Sequence, residues 1–516
     1  MKIPGLNLEL QRLLAPVPIW HACITLADWQ VAALAVREAG GRLLALWGTA
    51  SVPGVAVCAA YVTADGVVWL ELPLPGEQIS YPDLVPVFPA AARMQRAVAD
   101  LTGLRAAGGT DKRPWLNHGA WPADYFPLRH ATEAAQEFPD AQLLDYAFVR
   151  VEGDGVHEIA VGPVHAGVIE PGHFRFSVVG EKVLRLEQRL GYTHKGIEQR
   201  MTQLPPLQAY RLAGRVSGDS TVAYAWAYGM ALEAAAACDI SSRASHLRAL
   251  MLERERVANH LGDLGALGND AAFAFGLSQF SRLREDWLRL SHAVFGHRLM
   301  MDCVVPGGVA GDIDGAHIDR LNRQCDVVER EVQTLRAVYD EHAGVQDRFM
   351  GTGRVSPALA AQLGLTGLAG RASAQAWDLR CDHPGPPYER LQVKMATQRN
   401  GDVAARVAVR FDEVFESLRL IREILADLPA GPVRQVLTLP DHASRGAGWV
   451  EGWRGEIFVA LELDGAAGQH RIRRCHCHDP SWQNWPVLEY AIIGNIVPDF
   501  PLINKSFNLS YSGHDL

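Results

Sequence analysis

The stretch from Thr221 to Ala237, TVAYAWAYGMALEAAAA, is apolar on nearly every face that a helix would present. A helix without a polar side must be wrapped by other elements, so the chain has to build a domain around this segment. At 516 residues it has the length for that, and a prior of about 150 residues per domain predicts two to four domains. A hydrophobic fraction of 48% and a charged fraction of 21% fit a folded globular protein and exclude extended disorder. The formal net charge is −9, and no run of basic residues is interleaved with aromatics, which excludes a nucleic-acid groove. No window reaches the roughly 18 to 20 uncharged apolar residues of a membrane-spanning helix, so membrane association is expected only through partner subunits. The N-terminal MKIPGLNLELQRLLAPVPIW lacks a signal-peptide pattern. The eight cysteines are too scattered for a disulfide framework, and a reducing, cytoplasmic setting is expected.

Up to about Pro127 the chain mixes short apolar runs, Arg42 to Leu46 and Gly66 to Leu70, with one helical pattern from Phe88 to Leu101. There Ala91, Met94, Val98 and Leu101 recur at intervals of three and four, and Pro89 suits a first turn. This predicts a small α/β domain. Between Ala106 and Pro139 the sequence turns rich in Gly, Pro, Trp and charge, which places a boundary near residue 135. Next, IAVGPV and FRFSVVGEKVLRLEQ read as two extended segments around the loop from His165 to His173, and the alternation of Phe174, Phe176 and Val178 predicts the start of a β-hairpin. From about Leu204 the pattern is helical. Ser245 to Leu267 carries an apolar stripe, and further helices are expected at Ser278 to Leu299, Asp312 to His342 and Gly401 to Leu425. The expected fold is α+β, with an α/β domain over residues 1–135 and a mainly helical domain with an N-terminal β-hairpin over 136–516.

Some chemistries lack their residues. GGTDK at 108 to 112 misses the further glycine of a phosphate loop, and GGVAGD at 307 to 312 has no lysine. Cys475 and Cys477, flanked by His476 and His478, have no second donor pair, and strand alternation puts both thiols on one face. They are read as two half-buried strand cysteines. His194, His246, His260 and His292 form no i, i+4 metal pair.

GPVHAGVIEPGHFRFSVVGEKVLRLEQRLGYTHKGIEQ, at 162 to 199, resembles the large subunit of membrane-bound nickel-iron hydrogenases and the homologous quinone-site D subunit of respiratory complex I. The likeness continues through LERERVANHLGDLGALGNDAAFAFG, RASAQAWDLRCDHPGPPY, VEGWRGEIFVALE and the final SFNLSYSGHDL. The first 135 residues, with Trp121 and FPLRH, resemble the complex I C-subunit domain. The fusion of the two is similar to the formate hydrogenlyase large subunit.

The resemblance implies a nickel-iron centre held by two CxxC pairs, and the pattern is broken at all four positions. Ser217 and Ser220 stand at the first pair, in RVSGDS, and Ser510 and Gly513 at the second. A neutral hydroxyl is a poor ligand for low-valent nickel or iron, and glycine offers none. No metal or other cofactor is therefore expected in this chain. In the complex I relatives a loop histidine and a tyrosine near the first pair bind quinone. His165 and His173 both lie in that loop, while the tyrosine position falls on Gly218, with Tyr210, Tyr224 and Tyr228 nearby. A loop histidine can serve a quinone carbonyl or simply hold loop backbone. Glu198 falls where relatives place a proton-relaying carboxylate, and a salt bridge is the alternative. The resemblance puts Arg215, Arg380 and Asp382 around the cavity, the last two as a buried ion pair. Glu253, Glu255 and Arg256 read as a solvated or intersubunit face, and Ser217 and Ser220 as caps of the Thr221 helix.

The implied partners are an iron-sulfur small subunit, antiporter-like membrane subunits and a dehydrogenase module, with the chain peripheral on the cytoplasmic face of the plasma membrane. The implied function is that of a subunit of a complex I-like or formate-hydrogenlyase-like oxidoreductase, passing electrons to quinone or another acceptor. The alternative is a non-redox coupling subunit of an ion-translocating complex.

Overall fold

The computed structural model describes all residues except 1–7, 52–53, 76–78, 130–137, 139–141, 167–168 and 466–469. The boundary expected near residue 135 lies outside the described residues. The fold is α+β, as expected.

The N-terminal unit is a five-stranded sheet of β1 (Gln11–Arg12), β2 (Ile19–Cys23), β3 (Arg42–Ser51), β4 (Gly54–Thr63) and β5 (Gly66–Leu74), in the order β1-β2-β5-β4-β3. β2 and β5 run parallel, and the other pairs are antiparallel. Helix α1 (Leu26–Glu38), which no sequence pattern announced, makes the crossover out of β2, its first turn capped by Thr25. Helix α2 (Ala91–Thr102) begins three residues later than expected and stops at Gly103, whose φ of 74° is the left-handed conformation that glycine adopts at little cost. The continuous apolar run of β4 has a simple cause. Val57, Ala59 and Tyr61 pack with α1 and α2, while Cys58, Ala60 and Val62 join a core shared with the second unit. A strand covered on both faces has no side left for polar residues.

The second unit opens with a meander of β6 (Val156–Val161), β7 (His173–Val179) and β8 (Lys182–Arg189), in the order β8-β7-β6. Phe174, Phe176 and Val178 are fully buried, as their alternation predicts. The segment read as one extended run is two strands, split at Gly180, whose φ is 58°. Helices α3 (Thr221–Ala235), α4 (Ser242–Asp270), α5 (Ala274–Phe295), α6 (Gly315–Glu341) and α7 (Val403–Ala426) follow. Every residue of α3 is buried, which is the central position that its composition demands.

Helix α3 lies on an antiparallel sheet of β9 (Ser444–Glu451), β10 (Glu456–Asp464) and β11 (Arg471–His478), of which only the cysteines of β11 were read as strand. The approach is close. A Cβ on Gly446 or Gly448 would lie 2.0 or 1.9 Å from the carbonyl oxygens of Ala231 and Ala227, so glycines in the strand match alanines in the helix. Three short helices close the chain: α8 (Ser481–Ala491) and α9 (Tyr511–Asp515) flank a third at Phe500–Phe507. β11 also touches β3, with the His476 ring stacked on Trp47 at 4.7 Å, so the two units share one core. Among the described residues no helix is long and apolar enough to cross a membrane.

Candidate functional site

The four positions matching lost metal ligands converge although they are far apart in sequence. Ser217 and Ser220 sit in the turn before α3, and Ser510 caps α9 by accepting the Gly513 N–H at 2.8 Å. Ser510 Oγ lies 3.1 Å from Ser217 Oγ. Ser217 donates to Asp219 at 2.6 Å, and Arg454 grips the same carboxylate with two bonds of 2.8 and 2.5 Å. Arg454 also reaches Ser220 Oγ at 3.3 Å and donates to the Asn508 carbonyl. Tyr224 donates its hydroxyl to Asp479 at 2.7 Å. Burial alone would raise the Asp219 pKa, but Arg454 and the Ser217 hydroxyl bring it below the usual carboxylate range.

This donor set does not fit a nickel-iron centre. It offers hydroxyls in place of thiolates, and a Cβ at Gly513 would lie 2.3 Å from Asp479 Oδ2. Asp479 and the Ser510 hydroxyl occupy the space that a side chain there would need. Ser220 stands at the N-cap of α3, but neither its side chain nor that of Ser217 makes the capping hydrogen bond. That role falls to Glu255, whose carboxyl accepts the Val222 and Ala223 N–H groups at 2.7 and 3.3 Å, and burial pushes its pKa up to about 8.

The other expected residues separate. Arg215 is exposed and paired with Asp302 at 2.7 and 2.8 Å. Arg380 is buried, but its partners are Asp378 at 2.7 Å and Glu253 at 3.1 Å rather than Asp382. Asp382 is exposed and accepts the Asp378 N–H. Glu253, Glu255 and Arg256, expected on a solvated or intersubunit face, are buried. Glu253 and Arg256 join a network in which Arg371 bridges Glu413 at 2.6 Å and Glu451 at 2.9 Å, and His260 meets Glu413 at 2.7 Å. Burial first, then the neighbouring Asp378, push the Glu451 carboxyl up to about 7 against the pull of Arg371. Arg380 and Glu451 line a cleft of about 360 Å³ with Trp226, Met230, Tyr388 and Trp449, and none of the four lost-ligand positions borders it.

Glu198 is buried against Arg474 at 2.9 Å and His476 Nδ1 at 2.6 Å, which is the salt-bridge geometry. Burial opposes its ionisation, but Arg474 and His476 hold its pKa at about 2. His165 is half-buried, with Nε2 at 3.4 Å from the Tyr511 hydroxyl. His173 begins β7 and places Nδ1 3.2 Å from the Gly162 carbonyl, the backbone-holding role. Burial lowers both histidine pKa values, favouring the neutral ring. Gly218 is exposed, and of the nearby tyrosines only Tyr224 enters the cluster; Tyr228 donates to the Pro206 carbonyl. Cys475 and Cys477 are fully buried rather than half-buried, with sulfurs 4.0 Å apart on the face toward α3.

Comparison with known proteins agrees with this layout. Residues 263–445 match the family described as respiratory-chain NADH dehydrogenase, 49 Kd subunit, and residues 25–137 match the 30 Kd subunit family. The chain is 32% identical over 443 residues to formate hydrogenlyase subunit 5 of Escherichia coli, covering 84% of this chain and 77% of that one. This chain belongs to the fused C/D-type family of complex I-like large subunits. The complex I-like chain is also 29% identical over 419 residues to the C/D subunit of the NADH-quinone oxidoreductase of Bacteroides fragilis, over 76% of this chain and 77% of that one. A chain in the structure of the membrane-bound sulfane sulfur reductase, an archaeal respiratory membrane complex, shares its fold with a TM-score of 0.65 at 24% identity, over 70% of this chain and 99% of that one.

Proposed function

We propose that this C/D-type subunit works without nickel, as a peripheral subunit of a membrane-associated, complex I-like oxidoreductase complex. The observation that carries the reading is the replacement of four sulfur positions by a hydrogen-bonded Ser217–Ser510 pair and a Gly513 closed against Asp479. Hydrogen activation needs the thiolates that are missing. Quinone or acceptor reduction needs only a pocket, a proton source and an electron donor, so it survives this loss. The acceptor would approach the loop that carries His165 and His173, where Tyr511 backs His165. Glu198, held ionised by Arg474, is read as a fixed member of that ion pair rather than as a proton carrier.

The partners proposed from the family are an iron-sulfur small subunit delivering electrons and antiporter-like membrane subunits, with a dehydrogenase module upstream and the chain on the cytoplasmic face. A coupling role without redox turnover is favoured by one feature, the ion-paired packing of Asp219 and Arg454 within the lost-ligand cluster. Acceptor turnover by the purified complex separates the two readings. With a soluble quinone as probe, His165→Ala and His173→Ala are expected to slow turnover by about tenfold or more, the size of a general acid-base or positioning contribution. Unchanged turnover in both variants removes the loop from the mechanism, and no turnover in the intact complex supports the coupling role.

A further inference from the structure

A second set of metal-binding side chains lies away from the lost-ligand cluster, at the junction of the two units. Strand alternation puts His21 and Cys23 of β2 on one face, and β5 runs parallel beside it with Glu71 in register with Cys23. The donor atoms of His21, Cys23 and Glu71 all lie within 4.8 Å of one another. His21 Nε2 is 3.1 Å from Glu71 Oε2, and the edge-on Trp69 ring at 5.1 Å fixes the imidazole. We propose that these three residues bind one divalent ion of the zinc class, whose preferred donors are histidine nitrogen, cysteine sulfur and carboxylate oxygen.

Each side chain is suited to the task. His21 and Glu71 are buried and already turn their donor atoms toward one another. Cys23 is exposed and offers the way in, while its thiol proton is released on binding. Three protein ligands leave a fourth position open, as in zinc sites that keep an exchangeable ligand. The place of a cation is taken by the Arg445 guanidinium from β9, 3.2 Å from Glu71 Oε2 and 2.9 Å from His21 Nδ1. A buried carboxylate needs a countercharge, and Arg445 supplies one to the metal-free site. Its side chain is 30% exposed, so it can withdraw into solvent when an ion enters. Metal and arginine are then alternative occupants of one anionic site, and the metal would tie β2 and β5 together while freeing β9.

Alkylation of Cys23 tests this in the full-length chain. After treatment with a chelator, iodoacetamide is expected to label Cys23, and one equivalent of Zn2+ to slow that labelling by about tenfold or more, read peptide by peptide by mass spectrometry. Glu71→Gln is expected to raise the zinc needed for protection by at least about tenfold, the scale of a lost metal-site interaction, and Arg445→Met to lower it. Labelling that zinc leaves unchanged would overturn the proposal. So would protection that persists undiminished in both Glu71→Gln and His21→Ala, because Cys23 alone would then be the binder.

Discussion

The lost-ligand cluster around Arg454 and the arginine network around Arg371 are both polar and both buried, yet they differ in access to water. Asp219, the partner of Arg454, keeps 35% of its side chain exposed. In the network Arg371, Glu253 and Glu451 keep none, and Glu413 keeps 2%. Four carboxylates, Glu253, Asp378, Glu413 and Glu451, face three guanidiniums there, from Arg256, Arg371 and Arg380. Burial first, and then the excess acid from Asp378, push the Glu451 carboxyl up to about 7, which favours its protonated form. The cluster accommodates its acids differently, with neutral donors from Ser217 and Tyr224 beside the single arginine. A dry site must balance its charges internally, while a partly wet one can leave some of that to solvent.

The largest effect expected from this contrast is that of Arg371→Met, which strands Glu413 and Glu451 without their shared cation. A loss of about 3 to 5 kcal/mol is expected from the denaturation midpoint, the usual cost of breaking a buried ion pair by removing one partner. Arg454→Met should cost less, about 1 to 3 kcal/mol, because Asp219 is reached by water. Equal losses in the two variants would break the comparison. The effect of Glu451→Gln is read in its dependence on pH. The folded pKa of about 7 lies above the ordinary 4.5, so this carboxyl adds stability that is complete below 4.5 and is lost as pH rises through 7. Across pH 5 to 8 the stability of the parent chain should therefore fall relative to Glu451→Gln, and parallel profiles would show that Glu451 is ionised throughout.

Much of the fold was legible in the sequence because burial leaves a pattern. The all-round apolar α3 announced its central position, and the alternation of Phe174, Phe176 and Val178 announced a strand. The α9 end and the turn before α3 were legible as a site only through a motif, since 293 residues separate Ser217 from Ser510. The network was misread for a physical reason. Glu253 and Arg256 look like a solvated helix face until their partners arrive from positions as distant as Arg380 and Glu413, which no local pattern reveals. The resemblance paired Arg380 with Asp382, whereas the fork geometry of Arg380 selects Asp378. Strand β9 was missed because Gly446 and Gly448 weaken a strand signal, although they are what lets α3 approach.

On the proposed reading, a cluster of serine, glycine and aspartate stands where a hydrogenase would hold nickel. Nickel per chain in the purified complex tests it most directly, measured on the Cys23→Ser variant so that the His21 site cannot contribute. The structure predicts a value near zero. One nickel per chain would contradict the account and return hydrogen chemistry to the site of Ser217, Ser220, Ser510 and Gly513.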